Sequence, residues 1–514
     1  MRNIFFSLLI LLLASLACNF PTTTLGPGQG VSVQGAVPTA AVAQATPQGA
    51  AAPAPTLPPT RDPNTPILTP TPDAPHAQLA LRTDSSIYTV QPGDSLNAIA
   101  ERLGVTLQQL LAANNIPNPN ALNVGQVINV PPQQLTNMGP NFKIIPDSEL
   151  VNGPYAIAFN VQDFINNQPG YLRQHQEQVD QQFLSGAAIL QRVATEYSVN
   201  PKLLLALLEY YSGWLTNPNP ASSTLTYPMG KQDSWRTGLY SQLSWAADNL
   251  NKGFYDWRAG LAAAWNTTDG IAIPPNPTIN AGTAGVQRLL GLMLSESQWR
   301  SAVSEQGFVQ TYTRLFGYPF DYAIEPLAPA GISQPALQLP FEPRVPWVFS
   351  GGPHGGWGNG SAWASLDFAP GAELYGCNPS PEWVVAAADG LVVRADNGAV
   401  VQDLDGDGYE QTGWTVLYMH VAASQRVQAG AYLRAGERIG HASCEGGVAT
   451  ATHLHIARRY NGVWIPAAGD LPFVMDGWVS VSNGILYDGS LVRDGVRVDA
   501  CECRFPANMV QRQP

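Results

Sequence analysis

The chain has 514 residues, with 26 Lys and Arg against 38 Asp and Glu, for a formal net charge of -12. That length accommodates about three domains, each able to bury its own core. Only 12% of the residues are charged, and Gly (48) and Pro (44) are plentiful, a balance that excludes the basic surface of a nucleic-acid-binding protein.

The chain opens on MRNIFFSLLILLLASLACNF, one Arg followed by an apolar run from Ile4 to Leu13, small residues and Cys18. The run falls short of the roughly 20 apolar residues of a bilayer span and reads as an export signal. Its end, SLAC, resembles the bacterial lipobox, although Ser15 stands where Leu is usual. The resemblance implies that residues 1–18 are a lipoprotein signal, that Cys18 receives a lipid, and that the protein sits on a membrane at the cell envelope facing the wall. An uncleaved anchor or an ordinary secretory signal would export the chain equally. Residues 19–84 are dominated by Pro, Thr and Ala, as in PAPTLPPTRDPNTPILTPTPDAP. Such a segment buries too little apolar surface to offset its ordering entropy and is expected to be a disordered, extended tether.

Residues 85–133 change character. A short strand in IYTVQ ends at Pro92-Gly93, and Asp94 or Ser95 can cap a helix whose Leu96, Ile99, Ala100 and Leu103 keep helical spacing. Gly104 ends that helix, Thr106 can cap a second carrying Leu107, Leu110 and Leu111, and GQVINVP reads as a closing strand. This strand-helix-helix-strand unit resembles a LysM module along its whole length. The resemblance implies binding of N-acetylglucosamine glycans such as peptidoglycan between two loops, here Gly93, Asp94, Ser95 and Leu96, and Asn115, Ile116 and Pro117.

Residues 139–329 carry helical patterns. VNPKLLLALLEYYSGW, starting at Asn200-Pro201, resembles the catalytic helix of lysozyme-like lytic transglycosylases, in which a Glu directly before Ser-Gly is the general acid. Tyr211 occupies that position, and Glu209, two residues earlier, points about 200 degrees away on a helix. A degenerate lysozyme-like domain that scaffolds or binds glycan is therefore expected, without glycosidase chemistry.

From residue 345 short β segments alternate with Gly-rich turns, predicting an antiparallel sheet domain over 345–480 and a β-rich extension over 481–514. The expected architecture is multidomain α+β. Five of the seven histidines fall here, at 354, 420, 441, 453 and 455, whereas His76 and His175 are expected to be solvated. His453 and His455 would project from one face of a strand. Asp367, in the apolar strand SLDFAP, is an expensive charge to leave unpartnered, and a metal or histidine should face it. His420 ends the strand VLYMH, where it could act as a general base or a hydrogen-bond donor.

From LDFAPG through VVAAADGLVV, TVLYMH and THLHI the chain resembles lysostaphin-like (LytM-type) zinc peptidases. The resemblance implies a zinc metalloendopeptidase that cleaves peptidoglycan, with one catalytic Zn2+, Asp367 and His455 as metal ligands, and His420 and His453 as catalytic residues. The family's remaining ligand lies four residues before the Asp, where this chain has Trp363. His354, thirteen residues before Asp367, is expected to replace it, with His441 the competitor. A displaced ligand also leaves open a second function, a non-catalytic wall-binding adaptor that activates another hydrolase.

DLDGDGYEQTG starts like a calcium loop at Asp403, Asp405 and Asp407, but position 12 is Trp414 rather than Glu. Ca2+ there is an expectation, at a hairpin tip. Beyond Cys18, four cysteines permit three disulfide connectivities, of which Cys377 with Cys444 is favoured.

Overall fold

The computed structural model describes residues 76, 82–91, 94–116, 118, 121–132, 137–371 and 376–513. The expected signal with Cys18, nearly all of the tether, and the glycan-loop residues Gly93 and Pro117 lie outside the described residues. No helix among those described is long and apolar enough to cross a membrane.

The first module is β1 (Ser86–Thr89), α1 (Leu96–Arg102), α2 (Leu107–Ala112) and β2 (Val127–Val130), with β1 and β2 antiparallel. Its spacing dictates its core, because Leu96, Ile99 and Ala100 of α1 and Leu110 of α2 are buried against Ile128 and Val130 of β2. Gly104 takes φ +65° between the helices, and Thr106 and Gln109 form a capping box that satisfies both backbone amides.

The helical region is built from α3 (Gly186–Tyr197), α4 (Pro201–Ser212), α5 (Leu239–Arg258), α6 (Ala281–Gly291) and α7 (Phe308–Phe316), with shorter turns between them. Asn200 caps α4 through a 3.0 Å bond from the Lys202 amide, Pro201 fills the first helical position, and Gly213 closes the helix at φ +67°. Glu209 is buried. Its carboxylate accepts from the amides of Leu215 (3.0 Å) and Thr216 (3.2 Å) and from the Thr216 hydroxyl, and it faces Arg314. It is a structural clasp on the loop after α4. The two outlying histidines are not simply solvated. The His175 ring packs on Trp214 with centroids 5.1 Å apart and its Nε2 faces Glu177, while the His76 ring lies 4.4 Å from Trp257. Neighbouring tryptophans, invisible in the local polar sequence, account for both corrections.

The C-terminal domain is a nine-stranded antiparallel sheet: β3 (Pro346–His354), β4 (Ser365–Pro370), β5 (Gly390–Asp396), β6 (Ala399–Asp403), β7 (Trp414–Met419), β8 (Tyr432–Leu433), β9 (Leu454–Tyr460), β10 (Val463–Trp464) and β11 (Met509–Gln511). The strand order is β8-β5-β6-β7-β9-β4-β3-β11, with β10 paired to β9. Alternation divides the sheet into two buried faces. Val400, Val416, Tyr418, Ile456, Leu366 and Phe368 enter one core with Phe341, Trp347 and Ile439. Ala399, Val401, Leu417, Met419, Ala457 and Trp464 belong to the same apolar cluster as α3 to α7. The sheet thus shares one continuous core with the helical region.

A further four-stranded sheet, of Val474–Met475, Trp478–Val481, Ser490–Arg493 and Val496–Asp499, packs Met475, Trp478 and Leu491 into the first core. It begins before residue 481. Disulfides join Cys377 to Cys444 and Cys501 to Cys503.

Candidate metal centre

Three adjacent strands bring the predicted residues together. In the β9/β4 register His455 stands directly opposite Asp367, and in the β7/β9 register Met419 stands opposite His455, so that His420 emerges just past the end of β7. On the far side of β4, two irregularities in the β3/β4 ladder, after Phe349 and after Gly351, swing His354 toward the same point. Gly351 is required there, because a Cβ would lie 2.8 Å from Asp367 Oδ2.

Asp367 Oδ1 lies 3.2 Å from His354 Nε2 and 3.2 Å from His455 Nδ1, and the two ring nitrogens are 3.0 Å apart. The far nitrogen of each ring faces a main-chain carbonyl: His354 Nδ1 faces Gly352 O at 2.8 Å and His455 Nε2 faces Gly356 O at 3.1 Å. Carbonyls only accept, so both rings carry their protons outward and turn lone pairs inward. Asp367 Oδ1, though close to both rings, has no hydrogen-bond partner and is buried. Two imidazole lone pairs and one carboxylate oxygen converging on a point suit a cation, and the His2Asp donor set is one that zinc accepts. The three residues could hold a metal.

Burial would raise the Asp367 pKa, but the neighbouring charges of His354 and His453 hold it well below the usual carboxylate range. Burial lowers the pKa of His455.

His420 and His453 flank the cluster with their rings 4.5 Å apart. Each also gives Nδ1 to a carbonyl, Glu445 O at 3.1 Å and Ala451 O at 2.8 Å respectively, which leaves Nε2 free. His453 Nε2 is 3.8 Å from Asp367 Oδ1. Burial, with the His453 and His455 charges adding, takes the His420 pKa down to about 3. His420 adopts φ +65°, a left-handed conformation that costs a non-glycine residue free energy.

His441 does not reach the cluster. Its ring packs at a tilt against Trp383 with centroids 3.9 Å apart, and its nitrogens meet Glu382 O and Gln425 Oε1. Sequence reasoning missed Tyr487, which covers His354 from the C-terminal extension; nothing near it in sequence marks it out.

Comparisons agree with this layout. Residues 373–466 match peptidase family M23, 88–131 match the LysM domain and 143–328 match the N-terminal domain of LasA. The C-terminal sheet is an M23 peptidase domain. The M23 match contains His420, His453 and His455, while His354 and Asp367 precede it. Protease LasA of Pseudomonas aeruginosa is 30% identical in strain UCBPP-PA14 over 298 residues, 53% of this chain and 66% of the relative. The chain therefore spans just under two thirds of the length of that curated relative. The chitin elicitor-binding protein of Oryza sativa subsp. japonica is 52% identical over 48 residues, 9% of this chain and 14% of its own. Among solved structures, the M23 metalloprotease pseudoalterin from the deep sea covers 33% of this chain and 96% of its own at 24% identity, with a TM-score of 0.27. The helical region, whose α4 resembles a lysozyme-like helix, matches LasA's N-terminal domain instead.

In the first module Asp94 is held internally, accepting from the Tyr88 hydroxyl at 2.7 Å and the Gln91 amide at 2.8 Å and pairing with Arg102. Ser95 receives the Ala98 amide at 3.2 Å. Leu96 is a core side chain, so it cannot line a groove. Asn115 is exposed and Ile116 half-buried.

Asp403, Asp405 and Asp407 bring carboxylate oxygens within 4.8 Å of one another between β6 and β7. Asp403 already accepts from the amides of Asp405, Gly406 and Gly408.

Proposed function

We propose that the protein is an exported zinc metalloendopeptidase that cleaves peptide bonds of peptidoglycan and is kept on its substrate by the LysM module. The observation that carries this reading is the inward convergence of His354 Nε2, His455 Nδ1 and the unpartnered Asp367 Oδ1. When bound, zinc supplies Lewis-acid polarisation of a scissile carbonyl and lowers the pKa of water toward neutrality. The chain's own residues do the rest. His354, Asp367 and His455 would hold the ion, the two imidazoles being oriented by the carbonyls of Gly352 and Gly356.

His420 stands at the edge of the cluster with Nδ1 held by Glu445 O and Nε2 uncommitted, and so is placed to take a proton from attacking water. His453, more open than the other three, can hold a proton at Nε2 for the departing amine and donate a hydrogen bond to developing negative charge. Exposed Asn115 and the neighbouring loop backbone would contact glycan, raising the local concentration of substrate.

The test is zinc content by elemental analysis of wild type and His354→Ala, beside release of new amino termini from purified peptidoglycan. About one zinc per chain, lost in the variant together with hydrolysis, is expected. A zinc-free wild-type protein that binds wall material and hydrolyses nothing would instead be the adaptor.

We add two subsidiary proposals. A lipid on Cys18 would anchor the chain at the envelope, so Cys18→Ser should move it from the membrane to the soluble fraction. Ca2+ at the Asp403 tip rests on three neighbouring carboxylates; a calcium titration that leaves the melting temperature unchanged would remove it.

A further inference from the structure

The thirteen-residue spacing between His354 and Asp367 creates a loop, GGWGNGS over 355–361, that the sequence alone leaves unexplained. In the structure it is pressed between β10 and the helix α5. A Cβ at Gly356 would lie 2.5 Å from the Trp464 ring, and one at Gly360 would lie 1.8 Å from Asp248 O. Gly360 is demanded by close approach of the helical region, and Gly356 by close approach of β10.

The contact is specific. Asp248 Oδ1 accepts the Gly360 amide at 2.8 Å, and Tyr197 of α3 meets Trp357 edge-on at 6.5 Å. Within the loop, Gly356 N donates to Ala362 O at 3.1 Å and Trp357 N to Ser361 Oγ at 3.0 Å. The carbonyl thus immobilised, Gly356 O, is the one that fixes the tautomer of His455.

We propose that Asp248 is a positioning residue of the metal centre, supplied by the helical region: it clamps the 355–361 loop, and through Gly356 O it holds the His455 lone pair on the ion. This rests on the zinc reading above. Removing an outer partner of a metal-bound histidine costs about 10–100-fold in metal affinity. Asp248 acts one link further out, and about tenfold is expected.

The experiment measures the Zn2+ dissociation constant by chelator competition in the full chain, for wild type, Asp248→Ala, Asp248→Asn and Ser198→Ala. The last removes another bond between the helical region and the sheet domain, from Ser198 Oγ to Gly462 O at 2.7 Å, away from the loop. Asp248→Ala should weaken zinc about tenfold, Asp248→Asn, which keeps an acceptor oxygen, should restore most of it, and Ser198→Ala should leave zinc affinity unchanged. If Asp248→Ala does not fold, Asp248→Ser, polar but too short to reach Gly360, must give the same loss. Equal affinity in wild type and the Ala or Ser variant overturns the clamp, as does an equal loss in Ser198→Ala. A wild type that binds no zinc overturns the zinc reading itself.

Discussion

Tyr487 lies almost parallel to the ring of His354, with centroids 4.2 Å apart and planes inclined by 25°. Two backbone bonds hold it there, Gly352 N to Tyr487 O at 2.7 Å and Tyr487 N to Pro353 O at 3.3 Å. The C-terminal extension thus contributes a wall to the metal centre. Tyr487→Phe keeps the stack and should bind zinc as wild type does. Tyr487→Ala opens the imidazole to water and should weaken zinc a few-fold, less than loss of a direct histidine partner. Chelator competition on both variants checks this, and an equal effect of the two would mean that the hydroxyl, not the stack, matters.

The four clustered histidines should separate into two classes. His354→Ala and His455→Ala should lose both metal and hydrolysis. His420→Ala and His453→Ala should retain about one zinc per chain while hydrolysis falls by roughly 10²–10⁴. Elemental analysis beside peptidoglycan hydrolysis distinguishes the classes, and a zinc-free His453→Ala protein would reassign that residue as a ligand.

The depressed pKa of His420 has a consequence for acid stability. A folded-state pKa of about 3 lies below the ordinary value, so the unfolded chain takes up a proton first as pH falls. The stabilisation is fully present above pH ~6.5 and is lost on descending toward pH ~3, at up to about 1.4 kcal/mol per pH unit. His455, also depressed, acts in the same direction. Asp367, whose pKa is lowered, loses its contribution only below about pH 3.8 and so stays out of the range above pH ~4. In zinc-free protein, His420→Gln should therefore flatten the fall in unfolding free energy between about pH 6 and pH 4. Urea unfolding at several pH values measures the slope, and parallel profiles would refute the assignment.

Glu410 sits between two guanidinium groups, receiving Arg394 Nε at 3.0 Å and Arg459 Nη2 at 2.5 Å. Arg459 is buried on β9 and stacks on Trp464. Glu410→Ala would leave two crowded cations without their counter-charge, at a cost of about 3–5 kcal/mol. Denaturant midpoints should show it, and a loss under about 1 kcal/mol would place the trio among solvent-screened pairs.

Much of the metal site was legible because strand periodicity is simple. Two histidines one residue apart must share a face, and an aspartate in an apolar strand needs a partner. The capping residues of α1 and α2 were readable for a similar reason, since Gly104 and Thr106 act locally. Other features depend on contacts that join distant segments. Tyr487 meets His354 across 133 residues of chain, and Trp214, on the turn after α4, shelters His175. Glu209 could be dismissed as an acid by its angle on α4, but its clasp on Leu215 and Thr216 needed the loop geometry. The likeness of α4 to a lysozyme-like helix rests on the Asn-Pro cap and a leucine run, which any fully buried helix with that start would share.

His420 takes a backbone conformation that a glycine or asparagine would adopt more readily. A chain optimised for folding alone would place one of those residues there. Holding an imidazole at that corner, buried and neutral, spends stability on reactivity. Position 420 is therefore where thermostability and turnover should oppose each other, and a stabilising substitution found there would be the one to distrust.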